Sequence, residues 1–99
     1  MPTFQRLPRF VKDFAALSPD EKVAFRDAVD KLVADLTAGG QIRKGPRLKG
    51  VQGSSGIFEM TWANNGRATF QYGPPVEGHG GDTHVIWRRV GTHTIFGSP

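Results

Sequence analysis

The 99-residue chain has no cysteine, a single tyrosine and no apolar run long enough to cross a bilayer. Without cysteine there is neither a disulfide framework nor a thiolate metal site, a composition that suits the reducing cytoplasm. The opening Met-Pro-Thr-Phe-Gln-Arg lacks the apolar core of a signal peptide, so a cytoplasmic protein away from membranes is expected. Also missing are a Gly-rich phosphate loop, a Cys/His cluster and a Gly-x-Ser-x-Gly nucleophile turn. Carboxylates do not come in pairs, since Glu59, Glu77 and Asp82 lie in three different settings. His79 has no second ligand at a metal-binding spacing. No metal and no cofactor are therefore expected.

Acid is scarce in only one part of the chain. Residues 1–40 hold six basic and six acidic groups, whereas residues 41–99 hold seven basic groups against Glu59, Glu77 and Asp82. The whole excess of +4 lies in that second part. A localised positive field favours a polyanionic partner, either nucleic acid or an acidic protein segment.

What is present reads as one domain over residues 1–99, with 37% hydrophobic residues available for a modest core. Thr3 to Leu7 can form a short strand. Leu7, Phe10, Val11, Phe14 and Leu17 then follow a helical stripe, with Pro8 suited to a first helical position. Ser18-Pro19-Asp20-Glu21 is a capping box for a second helix, whose apolar face is Phe25, Ala28, Val29, Leu32, Val33 and Leu36 and whose end is Gly39-Gly40. Gln41 to Lys49 is a basic loop with four cations, Arg43, Lys44, Arg47 and Lys49. From Gly56 onward, apolar segments alternate with turn signals, the pattern of an antiparallel meander. Its first turn is Asn64-Asn65-Gly66, residues that tolerate the positive φ of a tight hairpin. Phe58, Met60, Trp62, Ala68, Phe70 and Tyr72 form an aromatic face that the helices should cover. Glu59, Thr61, Arg67, Thr69 and Gln71 make the opposite, polar face. Gly73 to Asp82 is a long loop, Thr83 to Val90 a further strand, and Gly91 to Phe96 a turn with a final extended piece. The expected class is α+β: a short N-terminal strand, a helical hairpin, then a twisted antiparallel sheet of three to four strands.

The residues with chemical potential are Arg67, Arg88, Arg89, Lys49 and His93, with Glu59 a possible orienting neighbour. Such a set suits metal-free RNA cleavage, in which the 2′-hydroxyl attacks its own neighbouring phosphate. Arginines grip the phosphate by paired hydrogen bonds. A histidine, titrating near neutrality, can protonate the leaving 5′-oxygen.

The order of elements resembles the RelE/ParE toxin superfamily of bacterial type II toxin–antitoxin systems. The resemblance is carried by Phe10-Val11-Lys12-Asp13-Phe14, Arg47-Leu48-Lys49-Gly50, Gly56-Ile57-Phe58-Glu59-Met60, Gly66-Arg67-Ala68-Thr69-Phe70 and Val90-Gly91-Thr92-His93-Thr94-Ile95-Phe96. It implies a toxin neutralised by a cognate antitoxin wrapped over its basic surface. It further implies a ribosome-dependent endoribonuclease acting on mRNA. By position, Arg67 matches the arginine that binds the scissile phosphate, and His93 the near-terminal general acid or base. Lys49, Arg47, Lys44 and Arg43 match contacts to the RNA backbone, and Arg88 matches a further phosphate ligand; Arg89 is expected to bind RNA beside it. The resemblance equally admits a ParE-like inhibitor of DNA gyrase, or an inactive nucleic-acid-binding relative.

Overall fold

A computed structural model describes residues 2–37, 48–51 and 56–99, with the backbone alone at 35–37, 48–49, 93 and 96. The elements run β1 (Thr3–Arg6), α1 (Pro8–Ala15), α2 (Pro19–Thr37), β2 (Leu48–Gly50), β3 (Phe58–Thr61), β4 (Gly66–Gly73), β5 (His84–Thr92) and a 3-10 helix η1 (His93–Gly97). The expected α+β arrangement is present, and the sheet has five strands in the order β1-β5-β4-β3-β2. It is mixed: β1 runs parallel to β5, and the other pairings are antiparallel.

Local chemistry explains the two helices. Pro8 stands in the first turn of α1, where its missing N–H leaves nothing unpaired. The expected capping box forms at α2. The Ser18 N–H donates to Glu21 Oε1 at 2.8 Å, and the Glu21 N–H donates to Ser18 Oγ at 3.2 Å. Asp20 and Glu21 lie in the first turn, where the helix dipole favours negative charge.

Trp87 is the centre of the core. Its ring stands 5.8 Å from Phe10, 5.4 Å from Phe25 and 5.4 Å from Phe70. Phe25 also meets Trp62 edge-on, so both helices are joined to the sheet through aromatic contacts. The aromatic face thus packs on the helices as its pattern requires.

Three local readings change. The turn at Asn64-Asn65-Gly66 contains no positive φ. Gly66 is needed there for space instead, because a Cβ on it would lie 2.6 Å from the Trp62 ring. The last strand extends to Thr92, and the segment after it is η1 rather than an extended piece. Gly91 makes that return possible: a Cβ there would stand 3.0 Å from Ile95 Cγ2, and Ile95 is buried on the side away from the helices.

A β-bulge interrupts β5. Thr69 pairs with Arg89 while Phe70 pairs with Trp87, leaving Arg88 as the extra residue. Trp87 and Val90 are three positions apart, yet both enter the core. A regular strand would send them to opposite faces, and the bulge removes that conflict.

Candidate functional site

β4 and β5 carry three arginines, and the register gives them two different settings. Arg67 pairs with Gly91 at the start of β4, and the preceding Gly66 pairs with Thr92. His93 follows Thr92 directly, so the backbone brings Arg67 and His93 to the same end of the sheet. Thr92 caps η1 there, its Oγ1 accepting from the Thr94 N–H at 3.4 Å.

The Arg67 guanidinium is anchored at one nitrogen. Its Nη1 donates to the backbone oxygens of Gly66 at 2.9 Å, Ala63 at 3.2 Å and Asn64 at 3.3 Å. Among the described residues nothing accepts from Nε or Nη2. A guanidinium fixed on one side loses little freedom when the other side grips a phosphate through two parallel bonds.

Arg88 and Arg89, expected to contact RNA, have partners within the chain. Arg89 donates from Nε to Asp13 Oδ2 at 2.6 Å and from Nη2 to Oδ1 at 3.1 Å, a two-pronged ion pair to α1. Its Nη1 donates to the Ser98 backbone oxygen at 3.1 Å. The hydrogen bond to Asp13 raises the Arg89 pKa above its ordinary value; burial opposes that shift and the Asp13 charge adds to it. Asp13 Oδ2 also accepts from the Val90 N–H, satisfying an amide beside the bulge. Arg88 donates to Gln71 Oε1 and, at 3.1 Å, to the Pro99 backbone oxygen. Both side chains thus hold β5 to α1, β4 and the segment after η1.

The polar face is also less open than its alternation suggests. Thr69 is fully buried and Glu59 is only 6% exposed, and η1 packs against β4 and β5. Glu59 is engaged rather than free, so it is no open orienting carboxylate. Lys49 pairs with Glu59, which pairs with Thr69, which pairs with Arg89, forming one row across the sheet. The side chains of Lys49 and His93 lie outside the described residues, as do Arg43, Lys44 and Arg47 altogether.

Two structural contacts escape a reading of the sequence. Asp13 sits on the helical stripe's margin with no local sign that it will meet β5. His84 is buried between β1 and β5, its Nδ1 2.8 Å from Thr3 Oγ1 and its Nε2 3.3 Å from Gln5 Oε1. That clasp follows from a pairing of strands 81 residues apart, which no short pattern announces. Among the described residues no group of three or more His, Asp and Glu side chains is placed to hold a metal. No described helix is long and apolar enough to cross a membrane.

No protein-family model matches the sequence, and no curated protein matches it. Solved structures do. The chain is similar to RelE in the RelB–RelE antitoxin–toxin complex of Methanococcus jannaschii, at 17% identity and TM-score 0.58, covering 91% of each chain. It is similar to a YoeB/ParE toxin from Agrobacterium tumefaciens at 9% identity and TM-score 0.62, covering 92% of this chain and 98% of that one. The E. coli DinJ–YafQ complex gives 12% identity and TM-score 0.61, over 95% and 96% of the two chains. The chain therefore has the fold of the RelE, YoeB and YafQ toxins.

Proposed function

We propose that this chain is the toxin of a type II toxin–antitoxin pair and that it arrests translation by cutting mRNA on the ribosome, in the cytoplasm. The observation that carries this reading is the open Nε–Nη2 edge of Arg67, at the sheet end where the β4–β5 register also delivers His93. Its partner is a cognate antitoxin, in keeping with the RelB–RelE and DinJ–YafQ complexes that share the fold.

In this mechanism Arg67 binds two oxygens of the scissile phosphate. A base removes the proton of the 2′-hydroxyl, whose oxygen attacks the neighbouring phosphorus. The P–O5′ bond breaks, and a general acid returns a proton to the 5′-oxygen, leaving a 2′,3′-cyclic phosphate and a 5′-hydroxyl. His93 is assigned to proton transfer, since only histidine among the assigned residues titrates near neutrality. Arg67 counters the extra negative charge on the pentacoordinate phosphorus, the kind of preorganised stabilisation that dominates many such reactions. Lys49 and the cations at 43, 44 and 47 supply the field along the RNA backbone. Arg88 and Arg89 hold the strand that leads into His93 and act by positioning it.

Induced expression followed by mapping of mRNA 5′ ends tests the reading. Codon-phased breaks on translating ribosomes, lost in Arg67→Ala and His93→Ala, are the expected result. Intact mRNA accompanied by gyrase-linked DNA breaks would overturn it in favour of a gyrase inhibitor.

A further inference from the structure

Trp62 meets Gly66 in two ways. Its backbone N–H donates to the Gly66 oxygen at 3.2 Å, closing the β3–β4 turn. Its indole lies where a Gly66 side chain would otherwise stand. The Gly66 N–H in turn donates to the Ala63 oxygen at 3.0 Å. Both of these turn-closing oxygens also accept from Arg67 Nη1, that of Gly66 at 2.9 Å and that of Ala63 at 3.2 Å. The place of Nη1 is therefore tied to the place of the turn. No residue of the turn has a positive φ, so no left-handed residue pins its shape.

Packing holds the ring instead. Trp62 belongs to the buried core and meets Phe25 of α2 edge-on, with 6.4 Å between ring centroids. Its indole N–H has no acceptor, so no hydrogen bond from the side chain fixes it. Close packing transmits a displacement of such a ring to whatever rests on it.

We infer that Trp62 is a positioning residue for Arg67. Standing against both Phe25 and Gly66, the indole sets where the turn oxygens lie, and they set the direction of the guanidinium. A smaller side chain leaves a gap beneath Gly66. The turn settles towards that gap, and Nη1 loses its anchor. The consequence for cleavage rests on the proposed function, in which Arg67 binds the phosphate; the positioning itself does not.

The test measures the guanidinium and the cleavage separately. The Arg67 Nε–Hε resonance, assigned by its loss in Arg67→Lys, reports by NMR how fast the guanidinium rotates about Nε–Cζ. Rotation should be slow in the parent and about tenfold faster in Trp62→Leu, the scale of losing one hydrogen bond from a charged group. Val85→Ala truncates the core at the far end of β5 and should destabilise the chain without freeing the guanidinium. RNA cleavage should fall about 10²-fold in Trp62→Leu, the scale of a 1 Å misplacement. The same change should cost little more in an Arg67→Ala chain, because the two residues act as one unit. If Trp62→Leu does not fold, Trp62→Phe makes the smaller truncation under the same expectations. Unchanged rotation in the Trp62 variant, equal freeing by Val85→Ala, or cleavage losses that simply add would each overturn the inference. An Arg67→Ala chain that cuts RNA like the parent would defeat the proposed function alone, and the rotation rates would still decide the positioning.

Discussion

The β4–β5 ladder uses the same side chain in opposite ways at its Gly66–Thr92 end and at its central bulge. At the end, Arg67 ties a single nitrogen to the turn, and among the described residues nothing accepts from the rest of its fork. At the bulge, Arg88 and Arg89 distribute their donors over Gln71, Asp13 and the backbone of Ser98 and Pro99. What separates an arginine with donors to spare from one whose donors are taken is the supply of acceptors around it, which the fold decides. Charge alone does not distinguish them.

The sharpest way to break this comparison is to remove one arginine function at a time. Arg67→Ala should lower RNA cleavage about 10²–10³-fold, the cost of losing one preorganised donor, with only a small change in melting temperature. Cleavage kinetics and a thermal scan on the same preparation check both halves. Asp13→Ala should do the reverse. It strands Arg89 and uncaps the Val90 amide, costing about 2–4 kcal/mol, somewhat below the range for a fully buried pair because the side chains are 17% and 19% exposed. Urea unfolding measures it, and Arg89→Met in the same chain should recover part of the loss. Equal stability of Asp13→Ala and the parent would contradict the structural role given to Arg89.

Smaller effects sharpen the same contrast. Gly66→Ala places a methyl 2.6 Å from Trp62 and should cost about 1–3 kcal/mol of stability by overpacking. Cleavage should fall with it, since Arg67 is the next residue; a chain that keeps both would show that the turn is not needed to aim Arg67. Further along β4, Tyr72 has a buried hydroxyl without a hydrogen-bond partner, and burial raises its pKa. The unfolded chain therefore loses this proton first. The contribution is fully present below the ordinary tyrosine value of about 10 and is lost as pH rises beyond it. Tyr72→Phe should be close to neutral at pH 7 and should resist alkaline unfolding better than the parent, as read by circular dichroism.

Much of this architecture is written locally. The Ser18–Glu21 box, the stripe through Phe10 and Phe25, and the alternation of Phe58, Met60, Ala68 and Phe70 are each short patterns with one physical meaning, and each forms. What stays hidden depends on contacts between distant segments. The bulge at Arg88 is intelligible only beside Asp13, and the parallel seating of β1 only beside β5. Strict alternation assigns Glu59 and Thr69 to an open face, because nothing in their own segments signals that both will be buried. That Arg67 follows a turn is plain in the sequence, whereas the turn carbonyls within its reach become visible only in the fold.

The parallel seating of β1 has a consequence for how the protein comes into being. Thr3 pairs with His84, and the two meet only across a loop of 81 residues, with Thr3 Oγ1 and His84 Nδ1 closing the contact. Contacts this distant in sequence make folding slow relative to a helical domain of equal size. During synthesis the helical hairpin emerges first, with its aromatic face uncovered until Phe70 and Trp87 arrive. The strand that pairs Arg67 with Gly91 is the same one that receives β1. Completion of the sheet and pairing of Arg67 with Gly91 are therefore a single late event, and a nascent chain that stops before β5 carries neither.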